Sequence, residues 1–498
     1  MYEAYKPFRN HLRRFALLQS MAAVWHLAQH LENGAPLPPG LQPAPSAFEP
    51  APTLQGRLYP WDLDILAREL VLNAGPVGDR DLGALLELKT ALGHIRRLEE
   101  ETSKAFFAAG GDVMREMHRI GHRQFPWQRP PSQRSLVRYL KVFGRPEVAP
   151  FVVAQTGLTP IQVFQLTFAA CGHFLREWGM NTLQDYAILG VDAAQRDAFY
   201  GRITLTTAQL REATQAQQHY DGRWIYAWNP LHAFPLVRFD PAHPERVICP
   251  IPSLLMRRMT EGLFYDLIGE PKFGDAFGRS FQTYVGEVLA AACPAPAFGL
   301  REEQEYWIGK NRKDGVDWIL QDDTAVLFIE CKTSRLRLDA KVSSDAEALE
   351  AGLDSLAASL VQHYKNIVDA LEGRTTWANP DRPGFPLLVT LEDWWVFGPR
   401  IAGYLRESVK RKLGAEGLDP GLVEQLPYTV ASAPELELAA AAIADAGIQA
   451  VMKKKIGEEN RDSAFGPYLA NTFPKVSAQA LDLLDKEAWK ALAPKPPA

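Results

Sequence analysis

Residues 315–335 read GVDWILQDDTAVLFIECKTSR, and three side chains in this stretch have the types and spacing for metal-assisted hydrolysis. Glu330 and Lys332 close an apolar run, 325–329, that reads as a core strand. Charged residues seldom enter a core unless they are paired or bind a metal. Residues two apart on a strand project to one face, about 6.6 Å apart, so Glu330 and Lys332 share a face and Cys331 points to the other. Asp317 opens the preceding apolar run, and a meander folds the start of that strand beside the end of the next. Two hard carboxylates then converge on a single ion, with an ammonium alongside. Oxygen ligands of this kind suit Mg2+ or Mn2+ rather than zinc. A partly hydrated cation polarises a phosphoryl oxygen and acidifies a bound water, while Lys332 orients that water or stabilises developing charge. The matching reaction is phosphodiester hydrolysis.

The elements around these residues select this site. Glu-x-Lys also occurs at 87–89, inside a helical pattern where residues two apart do not share a face, and at 270–272, across a proline turn. Only the copy at 330–332 ends a strand. Candidate strands lie at 303–309, 316–320 and 325–332, separated by the polar turns KNRKDG and QDDT. A long helical pattern, 345–371, comes next. A strand at 386–391, a helix at 400–413, a strand at 428–431 and a helix at 434–446 follow. With the amphipathic helix around Phe281, Val285, Val288 and Ala292, this predicts a mixed sheet flanked by helices.

Asp317, Glu330 and Lys332, together with this order of elements over about 270–450, resemble the PD-(D/E)XK nuclease superfamily, whose restriction-endonuclease-like core is αβββαβ. The resemblance implies that Asp317 and Glu330 hold Mg2+ (or Mn2+), that the Cys331 backbone carbonyl joins them, and that Lys332 assists the attacking water. Relatives carry a pattern G…E..V…L in the helix before the meander. Gly278, Val285 and Leu289 fit it, but Gln282 stands at the glutamate position, which favours one ion over two. Glu287 lies about 140° around that helix and does not substitute. In the helix after the meander, Gln362 and Lys365 are candidates for contact with substrate phosphate.

Net charge is −5, so any nucleic-acid partner is held by local patches. One candidate is the 113–145 stretch, where Arg115, Arg119 and Arg123 recur every four residues as a helical ridge among aromatic residues. Others are Lys310, Arg312 and Lys313 in the hairpin turn and Arg335 after the triad. His118 and His122 are four apart, but no third ligand accompanies them, so they read as structural.

The whole chain divides as follows: an N-terminal amphipathic helix (1–33), a Pro-rich linker (34–56), a helical recognition domain (57–222), a bridging segment (223–269), the nuclease-like α/β domain (270–455) and a tail (456–498). Hydrophobic residues at 47% and charged ones at 23% are ordinary for a globular protein. Four scattered cysteines argue against disulfides and structural zinc, making a reducing cytoplasm the default. No apolar run approaches the ~20 residues of a membrane span. The expectation is a cytoplasmic, Mg2+-dependent nuclease acting on DNA. By resemblance, a role in bacterial anti-phage or restriction defence, a partner protein of such a system and homo-oligomers also come into view. The alternative is a non-catalytic protein that keeps the fold to bind nucleic acid or a partner.

Overall fold

The computed structural model describes residues 1–42, 54, 56–129, 131–343, 346–378, 381–475, 490 and 492–493. Most of the Pro-rich linker and nearly all of the terminal APKPPA lie outside them. About 58% of the chain is helical, joined by two mixed sheets, an α-rich region together with an α/β unit.

The N-terminal segment forms two helices, Tyr2–Leu12 and Leu17–Asn33, rather than one. The chain between them turns extended so that Phe15 and Ala16 bridge to Arg80 and Gly75. Gly78 sits so close to this crossing that a Cβ there would lie 2.4 Å from the Ala16 nitrogen. A small four-stranded sheet follows, made of β1 (Gly179–Asn181), β2 (Thr204–Thr206), β3 (Leu236–Arg238) and β4 (Arg246–Ile248), in the order β1-β4-β3-β2. The region 57–222 is therefore not purely helical.

The cores do not follow the expected boundaries at 57, 222 and 269. One core packs the two N-terminal helices, the Pro60–Asn73 helix and the Leu85–Ala108 helix against Leu210, Trp224 and the strands β3 and β4. A second is continuous from the Gln133–Phe143 and Pro160–Phe174 helices to Phe273–Ala292 and Ala433–Ala446. At its centre Arg138 donates to both oxygens of Glu437 at 2.7 and 3.0 Å, and Tyr284 donates to the same acid at 2.7 Å. All three side chains are buried, so the pair is a fixed joint between sequence-distant helices. Within the expected tail, Phe465, Tyr468 and Leu469 are buried in this same core.

The second sheet has the order β11-β10-β9-β8-β5, formed from β5 (Gly299–Glu302), β8 (Trp318–Gln321), β9 (Val326–Lys332), β10 (Gly384–Thr390) and β11 (Thr429–Ser432). Strands β5, β8 and β9 form an antiparallel meander, and β10 and β11 extend it in parallel. The first meander strand is 299–302, not 303–309. Residues 306–313 instead fold onto themselves as a ribbon, β6 (Tyr306–Ile308) against β7 (Asn311–Lys313), outside the main sheet. Gly309, with φ +61°, opens its two-residue loop, a backbone state that glycine reaches without Cβ strain.

β9 is covered on both faces, which explains its unbroken apolar run. Leu327 and Ile329 enter the core shared with the Phe273–Ala292 helix. Val326 and Phe328 meet Ile367 and Ala370 of the Glu347–Leu371 helix, which also packs on Gly398–Ala415. Among the described residues no helix is long and apolar enough to cross a membrane.

Candidate functional site

The β8–β9 ladder ends with Trp318 opposite Ile329, and Asp317, the residue just before β8, lies close enough to Glu330 for that acid's charge to act on its carboxyl. Lys332, two residues along β9, joins them. The Asp317 carboxylate accepts the Cys331 backbone N–H at 2.6 Å, and Lys332 donates its ammonium to Glu330 Oε1 at 2.6 Å. The Cys331 side chain packs on the opposite, apolar face. Glu330 is 4% exposed, whereas the Lys332 side chain is 33% exposed and forms the solvent edge of the site.

Burial, the repulsion of Glu330 and then Glu303 hold the Asp317 carboxyl well above the usual range, against the pull of Cys331 N–H and Lys332. Burial also raises Glu330, with Lys332 opposing it in part. For Lys332, burial acts to lower the ammonium, but Glu330 outweighs it and leaves it raised.

One oxygen is left over. Glu330 Oε2 is buried and has no hydrogen-bond partner, and His363 Nδ1, equally unpartnered, lies 3.7 Å away. His363 comes from the Glu347–Leu371 helix and is fully buried. Its Nε2 lies 3.1 Å from the Phe328 carbonyl, which only accepts, so Nε2 carries the proton and Nδ1 presents a lone pair. Burial pushes this imidazole down to about 3.

Gln282 does not touch the triad directly. Its side chain donates to Glu303 Oε2 at 3.3 Å, and its carbonyl accepts the Trp318 indole N–H at 2.9 Å. Glu303 is a site residue that sequence reasoning missed. Its N–H donates to the Asp317 carbonyl at 2.8 Å, and its half-buried carboxyl is raised by burial, then by Asp314 and Glu330. The run REEQ (301–304), which straddles the end of β5, is its only trace in the sequence, and Glu303 falls within the strand expected at 303–309.

These residues fit a hard divalent cation. The Asp317 and Glu330 carboxylates repel each other, and one buried Glu330 oxygen lacks any partner; a bound cation would relieve both. Among the described residues, no group of three or more His, Cys, Asp or Glu gathers as a ligand cluster.

The expected arginine ridge is a correction. Arg115 and Arg119 are 3% and 0% exposed. Arg115 donates to the carbonyls of Ala340 and Ser343. Arg119 pairs with Glu116 at 2.7 Å, donates to the Val342 carbonyl and lies over the rings of Phe106 and Tyr226. Arg123 pairs with Glu99 at 2.8 Å. The forks of Arg115 and Arg119 fasten the Val113–Gln128 helix to the chain around residue 342, while Arg123 ties it to the Leu85–Ala108 helix, so all three face the protein. Arg335 is also buried, over Phe264 at 3.8 Å and beside Glu392 at 3.0 Å, and does not line an open groove. His118 and His122 are buried neighbours, 3.3 Å apart.

Lys310, Arg312 and Lys313 do sit on the ribbon. Lys310 is exposed, Arg312 pairs with Glu305 and Asp314, and Lys313 reaches Asp369 at 3.2 Å. Gln362 is exposed and donates to Asn366, while Lys365 pairs with Glu416 at 2.7 Å. Compared with protein-family models, with curated proteins and with solved structures, the chain matches none.

Proposed function

We propose that this chain is a metal-dependent phosphodiesterase that hydrolyses nucleic acid, with DNA as the first substrate to test. The observation that carries the reading is the gathering of Asp317, Glu330 and Lys332 on one face, with a buried Glu330 oxygen left without a partner. The succession of the Phe273–Ala292 helix, β5, β8, β9, the Glu347–Leu371 helix and β10 supports a restriction-endonuclease-like αβββαβ core, with the β6–β7 ribbon as an insertion.

In this reading Asp317 and Glu330 would hold Mg2+ or Mn2+, with the Cys331 carbonyl as a further donor. The ion, when bound, supplies Lewis-acid polarisation of the phosphate and acidifies water. With an ion held by the carboxylates, the Lys332 ammonium at the solvent edge would donate a hydrogen bond to the attacking water or to the developing phosphorane oxygen. Cys331 N–H keeps Asp317 oriented throughout. The test is cleavage of linear, circular and single-stranded DNA and of RNA with Mg2+ or Mn2+. Parent protein that cuts, and Glu330→Ala and Lys332→Ala that do not, support the reading. Parent that cuts nothing, or variants as active as the parent, sink it.

Gln282 favours a second reading, a binding module without catalysis, because it brings no charge and is engaged with Glu303. Binding that persists in chelator with no cleavage in any metal selects it.

A further inference from the structure

Of the described tryptophans only Trp307 is exposed, at 63% of its surface, and it stands on the β6–β7 ribbon, whose second strand leads within four residues to Asp317. The ribbon's two faces are chemically distinct. Tyr306 and Lys313 turn inward, where both reach the Asp369 carboxylate, at 2.6 and 3.2 Å. Alternation turns Glu305, Trp307, Arg312 and Asp314 outward, with Trp307 directly opposite Arg312.

The ribbon is joined to the site at both ends. Glu303 donates its N–H to the Asp317 carbonyl, and Asn366 donates to the Gly315 carbonyl at 2.9 Å. Arg312 precedes Asp317 by five residues, a span of at most about 16 Å of extended chain. That is on the order of five steps of stacked bases at ~3.4 Å each.

We propose that Trp307 is a stacking platform for a nucleobase of the substrate within a few nucleotides of the scissile phosphate. The inference rests on the nuclease reading of the Asp317–Glu330–Lys332 site. The carboxylates of Glu305 and Asp314 neutralise Arg312, the residue opposite Trp307, so this face offers a phosphodiester no free cation. What the ring accepts is an uncharged π-surface. Exposed Lys310, at the ribbon tip, is placed for the adjoining phosphate. Stacking of this kind is tolerant of sequence, so Trp307 contributes affinity and register rather than base choice.

The test uses the full chain with Ca2+ in place of Mg2+, and again in chelator, and two fluorescent probes: a single-stranded oligonucleotide and a strand of the same length in which every base is replaced by an abasic site. Stacking predicts that Trp307→Ala weakens binding of the base-bearing strand about 5- to 100-fold, that Trp307→Phe recovers most of it, and that neither variant alters binding of the abasic strand. Equal affinity of parent and Trp307→Ala for the base-bearing strand overturns the inference while leaving the nuclease reading intact. An equal loss on both probes overturns it too, because the ring then serves the backbone or the fold. Parent protein that binds neither probe overturns this inference, while the nuclease reading stands or falls separately on the cleavage assay with linear, circular and single-stranded substrates.

Discussion

The Asp317 carboxylate and the Cys331 backbone N–H are joined at 2.6 Å, which ties the acid that precedes β8 to the strand that carries Glu330 and Lys332. This single bond decides the geometry of the site. Asp317 lies at the strand edge, where it would otherwise fray, and its anchor is the peptide between the other two functional side chains. The acid is thus oriented by the same strand that carries the other two functional side chains, with the Cys331 thiol also hydrogen-bonded to it.

That arrangement is costly to the empty protein. The Asp317 pKa is raised in the folded state, so its contribution to stability is present below the unfolded carboxyl pKa and lost as pH rises through the folded value. At neutral pH Asp317→Asn therefore stabilises the metal-free protein, by about 1–3 kcal/mol, the scale of a relieved buried polar group. The asparagine oxygen still accepts from Cys331. Thermal unfolding in chelator shows the variant melting higher than the parent. Added Mn2+ then stabilises the parent, by about 2.7 kcal/mol at a hundredfold excess over Kd, and leaves the variant unmoved.

His363 and His118 give the opposite sign. Burial lowers both imidazoles to about 3, so their neutral forms cost nothing above the unfolded value of 6.5. Between 6.5 and about 3 the unfolded chain takes up protons that the folded one refuses. Each histidine then removes about 1.4 kcal/mol per pH unit. Asp317 and Glu330 act in the reverse direction over part of this range, so the informative quantity is the difference between proteins. Urea unfolding at pH 7, 6 and 5 shows His363→Gln losing less stability per unit than the parent, and identical slopes refute the assignment.

The central strand was legible because an apolar run ending in Glu-Cys-Lys has few structural explanations. The strands at 318–321, 326–332, 384–390 and 429–432 each fall within two residues of their expected positions. The ribbon was not legible, because the alternation in EQEYWIG reveals a strand but not its partner; β6 pairs locally with β7 and leaves the meander to 299–302. Glu303 stayed hidden for the same reason. The arginines at 115, 119 and 123 show a different limit. Four-residue spacing fixes that they share a ridge, but not whether it faces water, and Val342 and Tyr226, which decide this, are more than a hundred residues away.

Arg119 is therefore a packing residue. Arg119→Met leaves Glu116 buried without its cation and strips the planar group from Phe106 and Tyr226, at a cost of about 3–5 kcal/mol. Exposed Lys310→Ala stays within about 0.5 kcal/mol of the parent. Urea midpoints at pH 7 check both. A stable Arg119→Met protein would contradict the buried pairing.

Asp369 holds the ribbon in place. Its carboxylate accepts from Tyr306 at 2.6 Å, Lys313 at 3.2 Å and Arg374 at 2.6 Å, and these partners outweigh burial to keep its pKa low. A two-stranded ribbon is only marginally stable alone, so its order depends on this junction and on the Asn366–Gly315 bond. Asp369→Ala removes the acceptor for three donors at once. Amide exchange over 304–314 then rises about tenfold or more, equivalent to about 1.4 kcal/mol of lost protection, while β9 and β10, held by both cores, keep theirs. The metal response of thermal stability survives, because Asp317 and Glu330 keep their own anchors in β9. If exchange instead rises equally across the whole sheet, Asp369 is a general stability residue and the ribbon is not an independently tethered element.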